Sequence, residues 1–432
     1  MSEIIETRIG LLPSDWQIES LDEVTTKIQD GTHFSPQSNE GPCRYITSKN
    51  IRFGRMAVED CGWISQKEHD AIYARCNVQR GDVLLTKDGA NTGNAAINRL
   101  KEPFSLLSSV ALIRADEHTA DNGFLLQYLL SPRGQQRLKD LMAGNAITRL
   151  TLEKIKRFEV PQPVKSEQTK IARILTTLDN LIEKTEALIA KYQAIKQGMM
   201  HDLFTRGVDS SGQLRPTHEQ APDLYKPSEF GFGMIPTEWS EGTIADFCEI
   251  HNTLRFPISE EVRSSMQGDY RYYGPTGILD YINEYRVEGR FVLIGEDGDH
   301  FLKFEKQHMT ILADGQFNVN NHAHILSGKP ECLTEWIHLF FCHRDITFHV
   351  SRQGAGRLKL NKAALQAIPM LVPKEDEQER SYKRFKSAEK RIATETAQLR
   401  KLRKLKSGLM QDLLTGKVRV KVDEAEEVAA NA

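Results

Sequence analysis

Several polar stretches, four of the eight containing glycine, carry side chains of the kinds that meet nucleic acid. In the first half these are Gln29–Pro36 with Thr32, His33 and Ser35, Ser48–Arg52 with Lys49, Asn50 and Arg52, and Thr86–Asn94 with Lys87, Asn91, Thr92 and Asn94. In the second half they are His251–Arg255 with Asn252 and Arg255, and Arg271–Thr276 with Tyr272, Tyr273 and Thr276. They continue with Asp297–His300 ending on His300, Asn318–His322 with Asn320 and Asn321, and Arg357–Lys359 with both of its terminal residues. Lys and Arg can read guanine, and Asn can read adenine through two hydrogen bonds. Ser, Thr and backbone N–H groups hold phosphate. Taken singly, each stretch reads more readily as a structural loop than as a binding site.

Other chemistry is harder to find. There is no P-loop, no Gly-x-Ser-x-Gly, no His-Glu-x-x-His and no Asn-Pro-Pro-aromatic tetrapeptide. His322 and His324 could share one side of a strand, but no Cys or carboxylate stands at ligand spacing, so a polar strand surface is expected and no metal site.

The elements that must position these loops announce themselves as a repeat. Residues 163–208 and 373–418 align without a gap at an offset of 210, with Lys196/Lys406, Gly198/Gly408, Met200/Met410, Asp202/Asp412, Leu203/Leu413, Thr205/Thr415 and Val208/Val418 identical. At their fronts Pro163 and Glu167-Gln168 match Pro373 and Glu377-Gln378. Between these anchors Ile171, Ile174, Leu178, Leu181, Leu188, Tyr192, Ile195 and Met199 recur at three- and four-residue steps, with Thr185 the polar interruption. That is a coiled-coil seam of about four heptads. The second copy keeps it more loosely through Phe385, Ala388, Ile392, Leu399, Leu402, Leu405 and Leu409. Two seams of this kind predict two helices packed on each other, each of about 37 residues and ~55 Å.

The repeat extends outward. Gly10–Trp16 matches Gly233–Trp239, and each is followed by capping-box spacing, Ser20 with Glu23 and Thr243 with Asp246, which predicts a short helix after both. Arg149-Leu150 aligns with Arg357-Leu358. Strand-like runs at Tyr45–Ile51, Val83–Thr86, Ala95–Ile97 and Val110–Arg114 precede a helical stretch, Phe124–Met142, broken at Pro132. In the second half Tyr270–Tyr273, Phe291–Ile294 and His324–Leu326 precede Trp336–Cys342. The fold class is α+β, two mixed α/β domains and two long helices with a pseudo-two-fold internal repeat. The expected divisions are 1–162, the helix 163–208, a Ser/Gly/Pro-rich linker 209–232, 233–372, the helix 373–418, and an acidic, disordered tail 419–432.

Whole-chain charge is uninformative, with 57 Lys and Arg against 59 Asp and Glu. Lys374–Lys421 is different, carrying fifteen basic and seven acidic residues. This excess reads either as a helix end matched to its dipole or as a surface for a partner. Six cysteines without a CxxC pair suggest reduced thiols, and the absence of a signal region or a run of ~20 apolar residues predicts a cytoplasmic protein off the membrane.

In this arrangement the chain resembles the specificity subunit of type I restriction-modification systems. Asp30-Gly-Thr-His33, Gly81-Asp82, Asp88-Gly89, Pro161/Pro163 and Glu167–Ile171 look like the family's signatures, although Ser381 stands where the second copy should be apolar. The resemblance implies a non-catalytic subunit with two target-recognition domains, each reading half of a split site in double-stranded DNA, and antiparallel helices acting as a ruler between them. It implies two methylation subunits docked on the helices, and restriction subunits joining that core. S-adenosylmethionine and ATP/Mg would sit on those partners, with no cofactor on this chain. Two other classes fit the same layout. A self-contained endonuclease or methyltransferase would cleave or methylate DNA alone, and a protein-only scaffold would shift no DNA even with methylation subunits present. The repeat further predicts that residues 1–208 would dimerise and, with methylation subunits, bind a palindrome made of the first half-site and its inverted copy.

Overall fold

A computed structural model describes residues 3–142, 149–353 and 357–422. It divides into two compact units, residues 1–188 with 396–432 and residues 189–395. Both long helices, Lys165–Thr205 of 41 residues and Glu375–Leu413 of 39, therefore contribute to both units.

In the first unit four strands lie in the order Ala95–Ile97, Val83–Thr86, Val110–Ala115 and Thr25–Asp30, each antiparallel to its neighbour. Val83–Leu85 is an unbroken apolar run because both faces of the sheet are covered. Val83 and Leu85 point into a core with Phe124, Leu125 and Tyr128 of the helix Asn122–Leu130, whereas Leu84 points into a second core with Ile46, Val78 and Phe104. The second unit holds six strands in the order Cys248–Ile250, Ala323–Gly328, Val287–Gly295, Thr310–Val319, Gln267–Tyr273 and Ile278–Ile282. Val292 and Ile294 pack with Trp336 and Phe340 of the helix Thr334–Phe341, and Leu293 packs on the opposite side.

Beneath the divergent sheets the two units share a base. Gln17–Ser20 pairs antiparallel with Glu159–Gln162, as Ser240–Thr243 pairs with Pro369–Val372. Each second strand runs into a long helix through a proline and a Glu-Gln pair. The Gln168 carboxamide accepts from Asp121 N (3.0 Å) and donates to the Pro163 and Thr119 carbonyls (2.9 and 3.0 Å). Gln378 does the same with Leu333 N (2.8 Å) and the carbonyls of Pro373 and Glu331 (2.7 and 2.9 Å). Both glutamines thus tie the start of a long helix to the cap of the short helix in its own unit. The capping boxes diverge. Thr243 and Asp246 cap the helix Ile244–Phe247. Ser20 and Glu23 close only a turn, because the next residues are drawn into strand Thr25–Asp30 by pairing with Val110–Ala115.

The helices run antiparallel in each unit. Asp179 and Glu186 pair with Lys406 (2.5 Å) and Arg403 (2.6 Å) in the first, and Lys196 pairs with Glu389 (2.5 Å) in the second. Lys196–Glu389 and Asp179–Lys406 are the same contact at an offset of 210. These lysines, neither of them in the expected seam, face the opposite helix, and they correct the seam. Leu181, Ile195 and Leu405 are 40%, 53% and 51% exposed and lie outside it. Buried Leu175, Thr185 and Met200 line the packed side of the first helix instead. Thr185 donates to the Leu181 carbonyl (2.8 Å), which makes burial of its hydroxyl tolerable.

In the second unit the lysine pair sits among imidazoles. His343 Nε2 is 3.2 Å from Lys196 Nζ, and His308 is 3.7 Å from Glu389. Burial pushes His338 down to about 4 from its ordinary 6.5 and lowers His343 too, while the His308 hydrogen bond, against burial, holds Glu389 down at about 2. The signs agree. A depressed histidine gives stability that is complete above 6.5 and fades as pH falls toward 4, and a depressed carboxylate loses its share as pH falls from its ordinary 4.5 toward 2. Asp179 in the first unit is braced instead by Gln127 (2.7 Å). Hydrogen exchange read between pH 7 and 4 should show residues 189–395 losing protection before the other unit. Parallel loss in both units would contradict the assignment.

Candidate nucleic-acid interface

The candidate loops of the first unit gather at one edge of its sheet. Asp30 pairs with Ala111 and Thr86 with Val110, so the carboxyl ends of two strands meet the amino end of the strand between them. Asp30, buried, is contacted by Lys87 (3.4 Å), Arg75 (3.5 Å) and His33 (3.5 Å). Lys87 also reaches Asp88 (2.7 Å), and Asp88 reaches Arg149 (2.9 Å). This alternating chain of charges holds four backbone segments together, around Asp30, Arg75, Lys87 and Arg149. A buried lysine between two carboxylates is a structural group, so Lys87 is corrected from base reader to scaffold.

The amides serve the same end. Asn50 is buried, accepting from Thr47 N (3.0 Å) and donating to the Ala57 carbonyl (3.0 Å), and is likewise corrected. Asn91 and Asn94 donate to the carbonyls of Ser48 (3.4 Å) and Ile51 (3.3 Å), and Thr92 to that of Gly89 (2.6 Å). Thr32 Oγ1 accepts from Phe34 N (3.2 Å). What remains outward is His33, Ser35, Lys49 and Arg52. Exposed Phe34, Phe53 and Arg55 join them and were missed, although Phe34 lies inside the stretch singled out.

The second unit repeats the arrangement with different side chains. Glu296 takes the place of Lys87 and is met by Arg255 (2.8 Å), Lys359 (3.6 Å) and His324 (3.9 Å). Asp297 takes the place of Asp88 and meets His322 (2.8 Å). Leu150 N donates to Lys87 O (2.8 Å), and Leu360 N to Glu296 O (2.7 Å). The counterpart of Arg149-Leu150 is therefore Lys359-Leu360, two residues beyond the expected Arg357-Leu358. Thr151 and Asn361 then cap equivalent short helices.

Four further candidates prove to be interior. Tyr272 is fully buried, its hydroxyl donating to Phe256 O (2.7 Å). Tyr273 packs in the core against Phe317. His300 is buried against Phe301, and that burial lowers its pKa. Asn320 is buried, accepting from His322 N (2.9 Å). Strand Gln267–Tyr273 lies between two neighbours, and its aromatic end turns inward. Asn252 and Arg255 both donate to His324 Nδ1 (2.9 and 2.8 Å), while His324 Nε2 donates to Leu360 O (2.8 Å). Both nitrogens of His324 are thus committed within the chain. No group of three or more His, Cys, Asp or Glu placed to hold a metal occurs among the described residues. Thr276 and Asn321 are exposed, and His322 and Lys359 are partly so. The Arg357 side chain and the acidic run 423–427 lie outside the described residues.

The two units are built alike, and each presents a different polar loop set over an ion-paired floor. A family model described as the type I restriction modification DNA specificity domain matches residues 13–193 and again 236–404. The chain belongs to that family. Over 433 residues it is 24% identical to a putative type I restriction enzyme MjaX specificity subunit of Methanocaldococcus jannaschii, covering 96% of each chain. The MjaVIII specificity subunit of the same organism is 23% identical over 439 residues, covering 95% of this chain and 94% of the relative. A putative subunit of Haemophilus influenzae, S.HindORF215P, is 35% identical over 136 residues, 32% of this chain and 33% of that one. The fold is that of the type I restriction-modification S subunit from M. genitalium, with a TM-score of 0.63 at 16% identity over 92% of this chain and 96% of that one. As a specificity subunit, this protein is a non-catalytic component of a restriction-modification complex. No helix among the described residues is long and apolar enough to cross a membrane.

Proposed function

We propose that this specificity subunit works in the cytoplasm on a bipartite site in double-stranded DNA, one half-site read by each unit, and that it scaffolds two methylation subunits and the restriction subunits. S-adenosylmethionine and ATP/Mg belong on those partners. The observation that carries the reading is the repeated loop floor, Lys87-Asp88 under Leu150 and Glu296-Asp297 under Leu360, which keeps the backbone and changes the side chains above it. A shared support with divergent outward groups suits two readers of different sequences.

In the first unit His33, Lys49 and Arg52 are the outward groups able to reach base edges or phosphates, with Asn91 as a loop brace. His33→Ala or Arg52→Ala should weaken binding by about 1–3 kcal/mol for each base edge that is no longer read. Selection of bound DNA by the complex should then show relaxed preference in one half-site and an unchanged other half. Equal weakening on all sequences would assign these residues to phosphate. Failure of the intact complex to select any split sequence would overturn the reading.

A further inference from the structure

Phe34 is the most exposed large apolar side chain described in the first unit, at 83%. Its ring belongs to none of that unit's apolar cores and to no aromatic pair among the described residues. The backbone on both sides of it is nevertheless held. Upstream, Thr32 N donates to Leu106 O and Ser108 N donates to Thr32 O (both 2.8 Å), and a Cβ on Gly31 would collide with the Leu106 carbonyl. Downstream, the Glu68 carboxylate accepts from Ser38 Oγ, from Ser65 Oγ (2.8 Å) and from Gln37 N (2.6 Å), and these bonds hold it down at about 2 from its ordinary 4.5. Ser65 N donates in turn to Ser38 Oγ (2.9 Å). Between the two anchors Thr32 Oγ1 accepts from Phe34 N (3.2 Å), and Pro36 fixes one more backbone angle. The backbone therefore holds the ring away from the unit that carries it.

What surrounds the ring is polar. His33 beside it is half exposed and lies 3.5 Å from Asp30. The adjacent Ser108 and Ser109 tie the Phe34 loop to the turn that carries exposed Lys49, since Ser108 N donates to Thr32 O and Ser48 N donates to Ser109 Oγ (3.2 Å). One apolar ring inside a polar, cationic rim is too small for a stable protein interface, which takes about 800 Å² from each partner. A base step is the right size. It accepts a single ring between two flat faces and leaves phosphates and base edges to the polar rim. We propose that Phe34 is a wedge that enters the base stack of duplex DNA at the half-site of the first unit and partly unstacks one step. It selects a step that opens easily, such as pyrimidine–purine, without reading a base edge. Bracing the loop in advance removes the ordering cost that a mobile loop would carry on insertion. The proposal rests on the specificity-subunit reading and adds to it a residue and a means of selection. Packing on a thymine methyl is the other use of such a ring, but it takes only one edge of the phenyl group and does not call for a ring that stands free.

The test uses the full chain assembled with its methylation subunits, on the split site that the wild-type complex selects. Phe34 belongs to no core, so thermal melting and assembly of Phe34→Ala should match wild type. Its affinity for the site should fall about tenfold or more. Phe34→Leu, still an apolar wedge, should keep most of that affinity. 2-Aminopurine placed in turn at each position of the first half-site should brighten at one step with the wild type and stay dark at that step with Phe34→Ala. An abasic nucleotide there removes the cost of unstacking, so it should tighten the wild type and do nothing for Phe34→Ala. Equal affinity of Phe34→Ala and wild type, or no step whose brightening depends on Phe34, would overturn the proposal and leave the specificity-subunit reading standing. Two other results would do the same. If uracil in place of thymine lowers the wild type to the level of Phe34→Ala, the ring packs on a methyl group. If Phe34→Ala loses a methylation subunit in sedimentation, the ring is a protein contact. A wild-type complex that selects no split sequence would overturn both the proposal and the reading.

Discussion

Glu377→Ala should destabilise the second unit by about 3–5 kcal/mol, the cost of leaving a buried charge without its partner. The Glu377 carboxylate is buried and accepts two hydrogen bonds from Arg215 (2.6 and 2.8 Å), one from Trp239 Nε1 (3.2 Å) and one from Val208 N (2.8 Å). The Arg215 side chain is only 10% exposed, so it cannot turn to water when the carboxylate is gone, and the exposed Glu238 at 3.4 Å is the carboxylate left to meet it. Gly207 turns the chain here with φ +62°, and a Cβ on it would collide with Glu377 and Trp239.

The first unit holds the equivalent clamp, in which Glu167 accepts two hydrogen bonds of 2.7 Å from Arg419, which also pairs with Asp15. There the arginine is 32% exposed and can be rehydrated. Glu167→Ala should therefore cost clearly less than its counterpart, and a chemical-denaturation midpoint for each variant decides the order. Pairing Glu377→Met with Arg215→Met should recover most of the stability, because two apolar residues leave no charge stranded. A destabilisation below about 1 kcal/mol in Glu377→Ala would show that water reaches the site.

That clamp marks the boundary of what the sequence can reveal. Glu167-Gln168 and Glu377-Gln378 are visible as a repeated pair, and the long helices are visible because a heptad pattern without Pro, and without Gly until Gly198 and Gly408, has few other outcomes. Arg419 falls in what reads as a disordered tail and Arg215 in what reads as a linker, since their partners lie far away in sequence. The seam fails for a related reason. Apolar residues occupy a stripe wider than two helices need, and periodicity alone does not say which edge of it is packed. Periodicity therefore puts Leu181, Ile195 and Leu405 on the wrong side, and it gives no reason to put Lys196 and Lys406, charged in isolation, on the packed one. Among the loops, polar side chains look like readers because the sequence shows donors and acceptors without their partners. Asn50 and Lys87 satisfy groups within their own unit, whereas His33 and Arg52 remain outward. Tyr272 and Tyr273 look available until the sheet order places their strand between two others.

The half-chain is expected to form a working dimer, and the repeated contacts now say where it must end. Lys196–Glu389 and Asp179–Lys406 are one contact used twice, so in a pair of identical halves Lys196 of each copy would meet Asp179 of the other. The charges match, and the seam from Ile171 to Met200 would be covered by its own kind in an isologous interface. A fragment ending at Val208 forms the lysine pairs but lacks Arg215, leaving buried Glu167 with no arginine in either copy. Extending it to residue 221 supplies Arg215, which can meet Glu167 and Asp15 of the partner copy as it meets Glu377 and Glu238 in the intact chain. Residues 1–221 should therefore sediment as a dimer at concentrations where 1–208 is largely monomeric. With methylation subunits, the dimer should select a palindrome made from the first half-site and its inverted copy, and should no longer select the asymmetric site of the full chain. Equal dimerisation of the two fragments would remove the clamp from the argument. A longer fragment that stays monomeric, or one that selects only the original asymmetric sequence, would mean that the two halves are not interchangeable parts.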